Sequence, residues 1–201
     1  MYLDFLKNEN VILADVDGVL LNWNRPFQTY MAGRGHTPHS FENFEVWENY
    51  EVSEREGKAL TRSFNESVHI RHLPPHADAV KYVRKLHEEH GYVLHCITAL
   101  DPHQYVYDAR WNNLKDLFGT AIERLVLTGS KSRGGDKGKV LDEYAPGACF
   151  WIEDQVWNAE LGLERNMDCL LMNQPYNMKT ELIGTTRVFD WKDIYYEITG
   201  Q

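Results

Sequence analysis

The stretch ILADVDGVL, residues 12–20, runs out of an aliphatic segment into two carboxylates one residue apart, Asp15 and Asp17, followed by a glycine. The apolar part is strand-length and lacks alternation, as expected of a strand covered on both faces in a parallel sheet. Residues i and i+2 of a strand share a face, so the two acids would crowd their charges on one side. That arrangement calls for a cation between them.

Further along lie more runs of the same kind. YVLHCIT (92–98), RLVLT (124–128), CFWIED (149–154) and CLLMN (169–173) read as strands. Between them are helical patterns. Residues 76–90 place Ala79, Val83 and Leu86 on one stripe and end at Gly91, a natural helix stop. Residues 102–118 open with Pro102 at the first helical position, carry Tyr107, Trp111, Leu114 and Phe118 on one side, and stop at Gly119. Alternation of helix and strand predicts an α/β fold, a Rossmann-like parallel sheet with helices on both faces.

The stretch from Leu21 to Leu73 has no comparable strand signal. It holds a capping-box candidate, Ser53 with Glu56, ahead of Ala59, Leu60 and Phe64, and is rich in aromatics: Trp23, Phe27, Tyr30, Phe41, Phe44, Trp47 and Tyr50. A structureless loop of that length is improbable within a compact domain. The expectation is a small helical cap over residues 22–73, inserted after the first strand into a core of residues 1–21 and 74–201. The aromatics are either the cap's own core or a stacking surface for a substrate.

Composition removes several classes. No apolar run approaches the roughly 18–20 residues of a spanning helix, and MYLDFLKNEN carries acids where a secretory leader would be basic. A cytoplasmic protein without a membrane partner is expected. Cys96, Cys149 and Cys169 sit in apolar contexts without CxxC spacing, which argues against zinc or disulfide chemistry. The nine histidines show no zinc-type spacing and read mostly as surface residues. With 21 basic against 30 acidic residues, net −9, a nucleic-acid duplex is not expected as partner.

In an open parallel sheet, ligands bind beyond the carboxyl ends of the strands. There the first strand delivers Asp15 and Asp17, the second Thr98 and Ala99, and the third the loop TGSKSRGGDKGK. The fourth delivers Glu153 and Asp154, with Asn158 four residues on. This order of motifs resembles the haloacid dehalogenase superfamily of phosphotransferases. The resemblance implies Asp15 as the nucleophile that takes up a phosphoryl group and Asp17 as general acid and base. It implies Thr98 and a lysine as phosphate-holding groups, and Asp15, Asp17 and Asp154 as the Mg²⁺ site, supported by Glu153 and Asn158. Carboxylate oxygens with room for water suit that ion. Two lysines compete: Lys137 opens KGKVL, a helix start like the usual third motif and the preferred choice, whereas Lys131 follows the strand more closely.

A finer resemblance connects IRHLPPHADAVKYVRKLHEEHGYVLHCITA, NNLKDLFG, RLVLTGSK, LLMNQPYN and RVFDWKDI with the small 5′(3′)-deoxyribonucleotidases and their phage and bacterial relatives. The chain departs from them by its extra KSRGGDKGKVLDEY segment and by EDQVWN where two aspartates are usual. The reading is a Mg²⁺-dependent phosphomonoesterase acting on nucleoside monophosphates. Ala99, Phe27, Phe41, Phe44 and Trp47 are the candidate substrate contacts, and a second copy of the chain is the protein partner considered. A phosphatase of sugar phosphates and a nucleotide-binding protein without turnover are the alternatives.

Overall fold

The computed structural model describes residues 10–129, 135–145 and 150–201. Among them are six parallel strands: β1 (Val11–Ala14), β2 (Val93–Thr98), β3 (Ile122–Leu127), β4 (Phe150–Glu153), β5 (Asp168–Met172) and β6 (Thr185–Val188). They lie in the order β3-β2-β1-β4-β5-β6. The helices are α1 (Asn24–Ala32), α2 (Val46–Tyr50), α3 (Glu54–Asn65), α4 (Ala79–His90), α5 (Gln104–Phe118), α6 (Lys137–Leu141), α7 (Val156–Leu163) and α8 (Trp191–Thr199).

The strand period of two builds both faces of the sheet. Ile12, Ala14, Leu94, Cys96, Ile152, Leu170 and Met172 join Val83 and Leu86 of α4, Leu114 of α5 and Trp191 and Ile194 of α8 in one cluster. The alternate residues Val11, Leu13, Ile97, Trp151 and Cys169 pack with Leu141 and Tyr144 on the opposite face. Unbroken apolar runs are what such two-sided burial requires.

Several local expectations hold. Ser53 Oγ accepts the Glu56 N–H at 3.3 Å and caps α3. Gly91 ends α4 at φ +75°. Others need correction. Helix α5 starts at Gln104, two residues later than Pro102 implied, with His103 as its N-cap. Its buried face carries Val106, Arg110, Asn113, Leu114 and Phe118, while Tyr107 and Trp111 stack on each other at the half-buried flank. All four residues of the expected stripe pack on the core, and Arg110 and Asn113 join its buried side because they find partners there. His95 is likewise buried, bonded to the Tyr144 hydroxyl at 2.8 Å. Strand β6 was not anticipated, since TTRV is short, polar and at the sheet edge. Cys149 lies outside the described residues; Cys96 and Cys169 are buried free thiols.

The 22–73 stretch is helical, with α1, α2, α3 and a 3₁₀ turn at Val68–His72. Its entry and exit are tied together: Asn22 N–H donates to Pro74 O at 2.9 Å and His76 N–H to Leu20 O at 2.8 Å. Trp23, Phe27, Tyr30 and Phe64 pack ring on ring inside it, and this group is continuous with the apolar cluster under the sheet.

Gly162 of α7 sits tight against the sheet. A Cβ there would meet Trp151 Cδ1 at 2.5 Å and Cys169 Sγ at 2.6 Å. Alanine normally stabilises a helix by about 0.5–1 kcal/mol over glycine, but overpacking a core costs about 1–3 kcal/mol. Gly162→Ala is therefore expected to lower stability by about 1–2 kcal/mol in urea unfolding. A stabilised variant would show that α7 is free to shift outward.

Candidate active site

Strand order reverses at β1, the place where an open sheet leaves a crevice beyond its strand ends. Ala14 is in register with Ile152, and Asp15 N–H donates to Ile152 O at 2.9 Å. One residue further along each strand come Asp15 and Glu153, so two buried carboxylates emerge side by side.

Lys137 stands between them. Its ammonium is 2.7 Å from Glu153 Oε2 and 3.0 Å from Asp15 Oδ1, and its side chain is buried. The lysine begins α6, whose N-cap Asp136 accepts the Gly138 N–H at 2.9 Å, which fixes where the helix starts. Lys131, the competing choice, lies outside the described residues. Glu153 spends its other oxygen on the backbone, accepting from Asp154 and Gln155 N–H, both at 3.0 Å.

Asp154 is also buried, and oxygens of Asp15, Glu153 and Asp154 lie within 4.8 Å of one another. Tyr176 donates its hydroxyl to Asp154 Oδ2. Gly18, at φ +86°, leaves the space that Asp154 and Tyr176 fill; any Cβ there would collide with the Asp154 carboxylate. Asn177 Nδ2 holds the Asp154 and Met172 carbonyls at 2.7 and 2.8 Å, and Gln174 Nε2 donates to Gly18 O at 2.7 Å.

Asp17 turns to a different partner. Both its oxygens lie near Arg110 Nη2, at 2.8 and 2.9 Å, and Arg110 is fully buried. In the structure each of the two acids has its own protein cation, Lys137 beside Asp15 and Arg110 beside Asp17. Among the described residues, the acidic cluster that could hold a metal is Asp15, Asp154 and Glu153, with the Asp17 carboxylate directed to Arg110.

Burial sets the electrostatics. It pushes Asp15 up to about 8, with Glu153 adding repulsion and Lys137 opposing. Burial likewise raises Asp17 despite Arg110, and raises Asp154 well above the usual carboxylate range with help from Glu153 and Asp15. Glu153 goes the other way: burial acts upward, but Lys137 and the donated N–H groups outweigh it and hold it low. Four acids face two cations, so full ionisation leaves two negative charges, which one divalent ion would balance. Carboxylate oxygens of this kind fit a hard cation such as Mg²⁺.

The other expected residues divide. Thr98 is buried at the end of β2, its carbonyl accepting Thr128 N–H at 2.9 Å, and Ala99 is exposed beside it. Asn158 gives its backbone carbonyl to the Trp151 indole at 2.9 Å. Phe27 is buried, stacked on Trp23 at 4.3 Å, which leaves no face for a ligand. Trp47 packs over Gly57 and under Lys58. Phe41 is exposed. Phe44 alone of these aromatics reaches the acid cluster's surroundings, edge-on to Tyr176 at 5.6 Å and to Trp157 at 5.2 Å. Lys179 reinforces this reach by pairing with Glu42 at 2.7 Å. Arg110, Tyr176 and Trp157 went unnoticed in the sequence. The signals available were a charge on the apolar side of a helix and the polar run NQPYN straight after a strand.

The fold is that of the haloacid dehalogenase-like hydrolases. Along 94% of this chain and 98% of its own, a haloacid dehalogenase-like family hydrolase from Streptococcus pneumoniae superposes with TM-score 0.63 at 14% identity. A D,D-heptose 1,7-bisphosphate phosphatase from B. bronchiseptica, complexed with magnesium and phosphate, does so with TM-score 0.60 at 8% identity over 95% and 98% of the two chains. In sequence the chain is 29% identical over 151 residues to a 32.4 kDa protein of Enterobacteria phage T4 from the Gp30-rIII intergenic region. The match takes in 71% of this chain and 53% of that protein, so the chain spans about half its length. No protein-family model matches the chain.

A carboxyl raised in the folded state takes up a proton on folding. The stability it contributes is present at low pH and is lost as pH rises from about 4 toward the value of about 8 at Asp15. A divalent ion would take the place of those protons. The gain in melting temperature from saturating Mg²⁺ should therefore increase between about pH 6 and pH 8.5, with proton release on binding seen by calorimetry in two buffers. A gain independent of pH without proton release would contradict the assigned site.

Proposed function

We propose that the chain is a divalent-metal-dependent phosphomonoesterase that works through an aspartyl-phosphate on Asp15, with nucleoside monophosphates as the preferred substrate class. The observation that carries this reading is the buried Lys137 ammonium 3.0 Å from Asp15, at the reversal point of the sheet. A carboxylate is a weak nucleophile toward a phosphoryl group unless both are held and the negative charge is neutralised. Lys137 and a metal held by Asp15 and Asp154 would do this. The bound ion would supply charge neutralisation at the phosphoryl oxygens.

In the first step an Asp15 oxygen bonds to phosphorus while the ester P–O bond breaks, and the Asp17 carboxyl gives its proton to the departing alcohol. The raised affinity of Asp17 for protons suits that role. In the second step Asp17, now a carboxylate, takes a proton from water as the water oxygen bonds to phosphorus. The Asp15–phosphorus bond breaks, inorganic phosphate leaves, and Asp17 is again protonated. Thr98 and the exposed Ala99 beside it would steady the phosphoryl oxygens.

The residues of the 22–73 insertion that reach across to Trp157 and Tyr176 support its reading as a cap that selects substrate. Phe44 and Trp157, 46% and 41% exposed, offer an aromatic surface for a base beside the acids. A second reading, sugar phosphates, is favoured by the burial of Phe27, whose ring offers no free face to a base. The heptose bisphosphate phosphatase of the same fold is in keeping with it.

Asp15→Asn is expected to abolish Mg²⁺-dependent phosphate release while the melting curve is retained. Lys137→Ala should cost about 10²–10³ in turnover. Wild-type turnover in either would remove the mechanism.

Base stacking is worth roughly 1–3 kcal/mol. Phe44→Leu should thus lower kcat/KM for nucleoside monophosphates by about one to two powers of ten, and leave glycerol phosphate nearly unchanged. Equal losses on both, measured by phosphate release, would favour the sugar-phosphate reading.

A further inference from the structure

Arg110 is the buried charge that the mechanism above leaves unused. It sits in the middle of α5 with no exposed surface, and its Nη2 reaches both oxygens of Asp17. Its Nε and Nη1 have no hydrogen-bond partner among the described residues. Taking a guanidinium out of water costs several kcal/mol unless the group is well paired, and an arginine retained to hold the fold would use more of its five donors. This one makes its contacts through a single nitrogen to one side chain, that of the acid two residues from the nucleophile.

The same face of α5 holds a second clamp. Asn113, one turn on, accepts the Leu73 N–H and donates to the Leu73 carbonyl, both at 3.1 Å. Leu73 closes the helical insertion just before the segment paired with Leu20 and Asn22. Asp17 itself lies in the turn that leads into that segment, bridged to Leu21. One rigid helix therefore fixes both the root of the insertion and the carboxyl of Asp17. A carboxylate on a turn would otherwise be free to rotate about its χ angles, and proton transfer needs it within hydrogen-bonding reach of the leaving oxygen.

We infer that Arg110 is a positioning residue for proton transfer: it holds the Asp17 carboxyl in the orientation from which it protonates the leaving alcohol. The inference rests on the assignment of Asp17 as the general acid. Its signature is dependence on the leaving group. A poor leaving group such as an alkoxide needs the proton, whereas dinitrophenolate departs without it. A residue that merely supports the fold would slow both alike.

The test compares an alkyl phosphate with 2,4-dinitrophenyl phosphate for the wild type, Asp17→Asn, Arg110→Met, Arg110→Lys and the double variant. Arg110→Met should lose about 10²-fold in kcat on the alkyl ester and less than about tenfold on the dinitrophenyl ester, with KM little changed. Arg110→Lys, which keeps a donor but not the fork, should recover part of the loss. The double variant should match Asp17→Asn alone on both substrates, since the arginine acts only through the acid. It also removes the buried arginine together with its acid, which folds tolerate better than removal of one partner, so it serves where Arg110→Met does not fold. Equal losses by Arg110→Met on both esters, or a further loss in the double variant, would overturn the inference while Asp17→Asn remains leaving-group selective. If Asp17→Asn itself is not selective, the acid assignment fails and the positioning role fails with it.

Discussion

The ammonium of Lys137 between Asp15 and Glu153 is the interaction on which the site depends. Neither carboxylate could be buried alone beside the other, because desolvation and mutual repulsion both act against ionisation. Lys137 makes the pair tolerable without discharging the site, since Asp154 and Asp17 remain. Removing it would leave buried acids uncompensated, the costly way to break such a network. On the proposed reading, the remaining negative charge would give the crevice its affinity for a hard cation and, with the cation, for a phosphoryl group.

Topology delivers these groups without any of them being close in sequence. The lateral register of β1 and β4 sets Asp15 beside Glu153, and the start of α6 sets Lys137 against both. Glutamate at position 153 gains a methylene over aspartate. With it, one oxygen reaches Lys137 while the other accepts the N–H groups of Asp154 and Gln155. The turn after β1 leads straight into the helical insertion, and Phe44 and Glu42 bring that insertion across to Tyr176 and Lys179. In the proposed mechanism, substrate recognition and phosphoryl chemistry would thus meet at Gly18, Tyr176 and Asp154.

Much of this was legible in the sequence. Unbroken apolar runs ending in carboxylates marked β1 and β4, and glycines at 91 and 119 marked helix ends, because both patterns report local chemistry. Spacing alone left two lysines open; the Asp136 cap ahead of α6 sets the position of Lys137 in space. Arg110 escaped because a charged residue on a helix is usually solvated, and only the fold reveals that Asp17 waits opposite. The aromatics of the insertion divide for a similar reason. Phe27 and Phe44 are alike in sequence, yet the Phe27 ring is buried against Trp23 whereas Phe44 is exposed beside Trp157 and Tyr176.

The proposed mechanism stands on Asp15 taking up the phosphoryl group. Acid quenching of the Mg²⁺-loaded protein during turnover of a phosphate monoester, followed by peptide mass mapping, tests it most directly. The account predicts one added phosphoryl group on the peptide containing Asp15, present in the wild type and absent from Asp15→Asn. Turnover without any phosphorylated peptide, or a phosphoryl group on another residue, would contradict it.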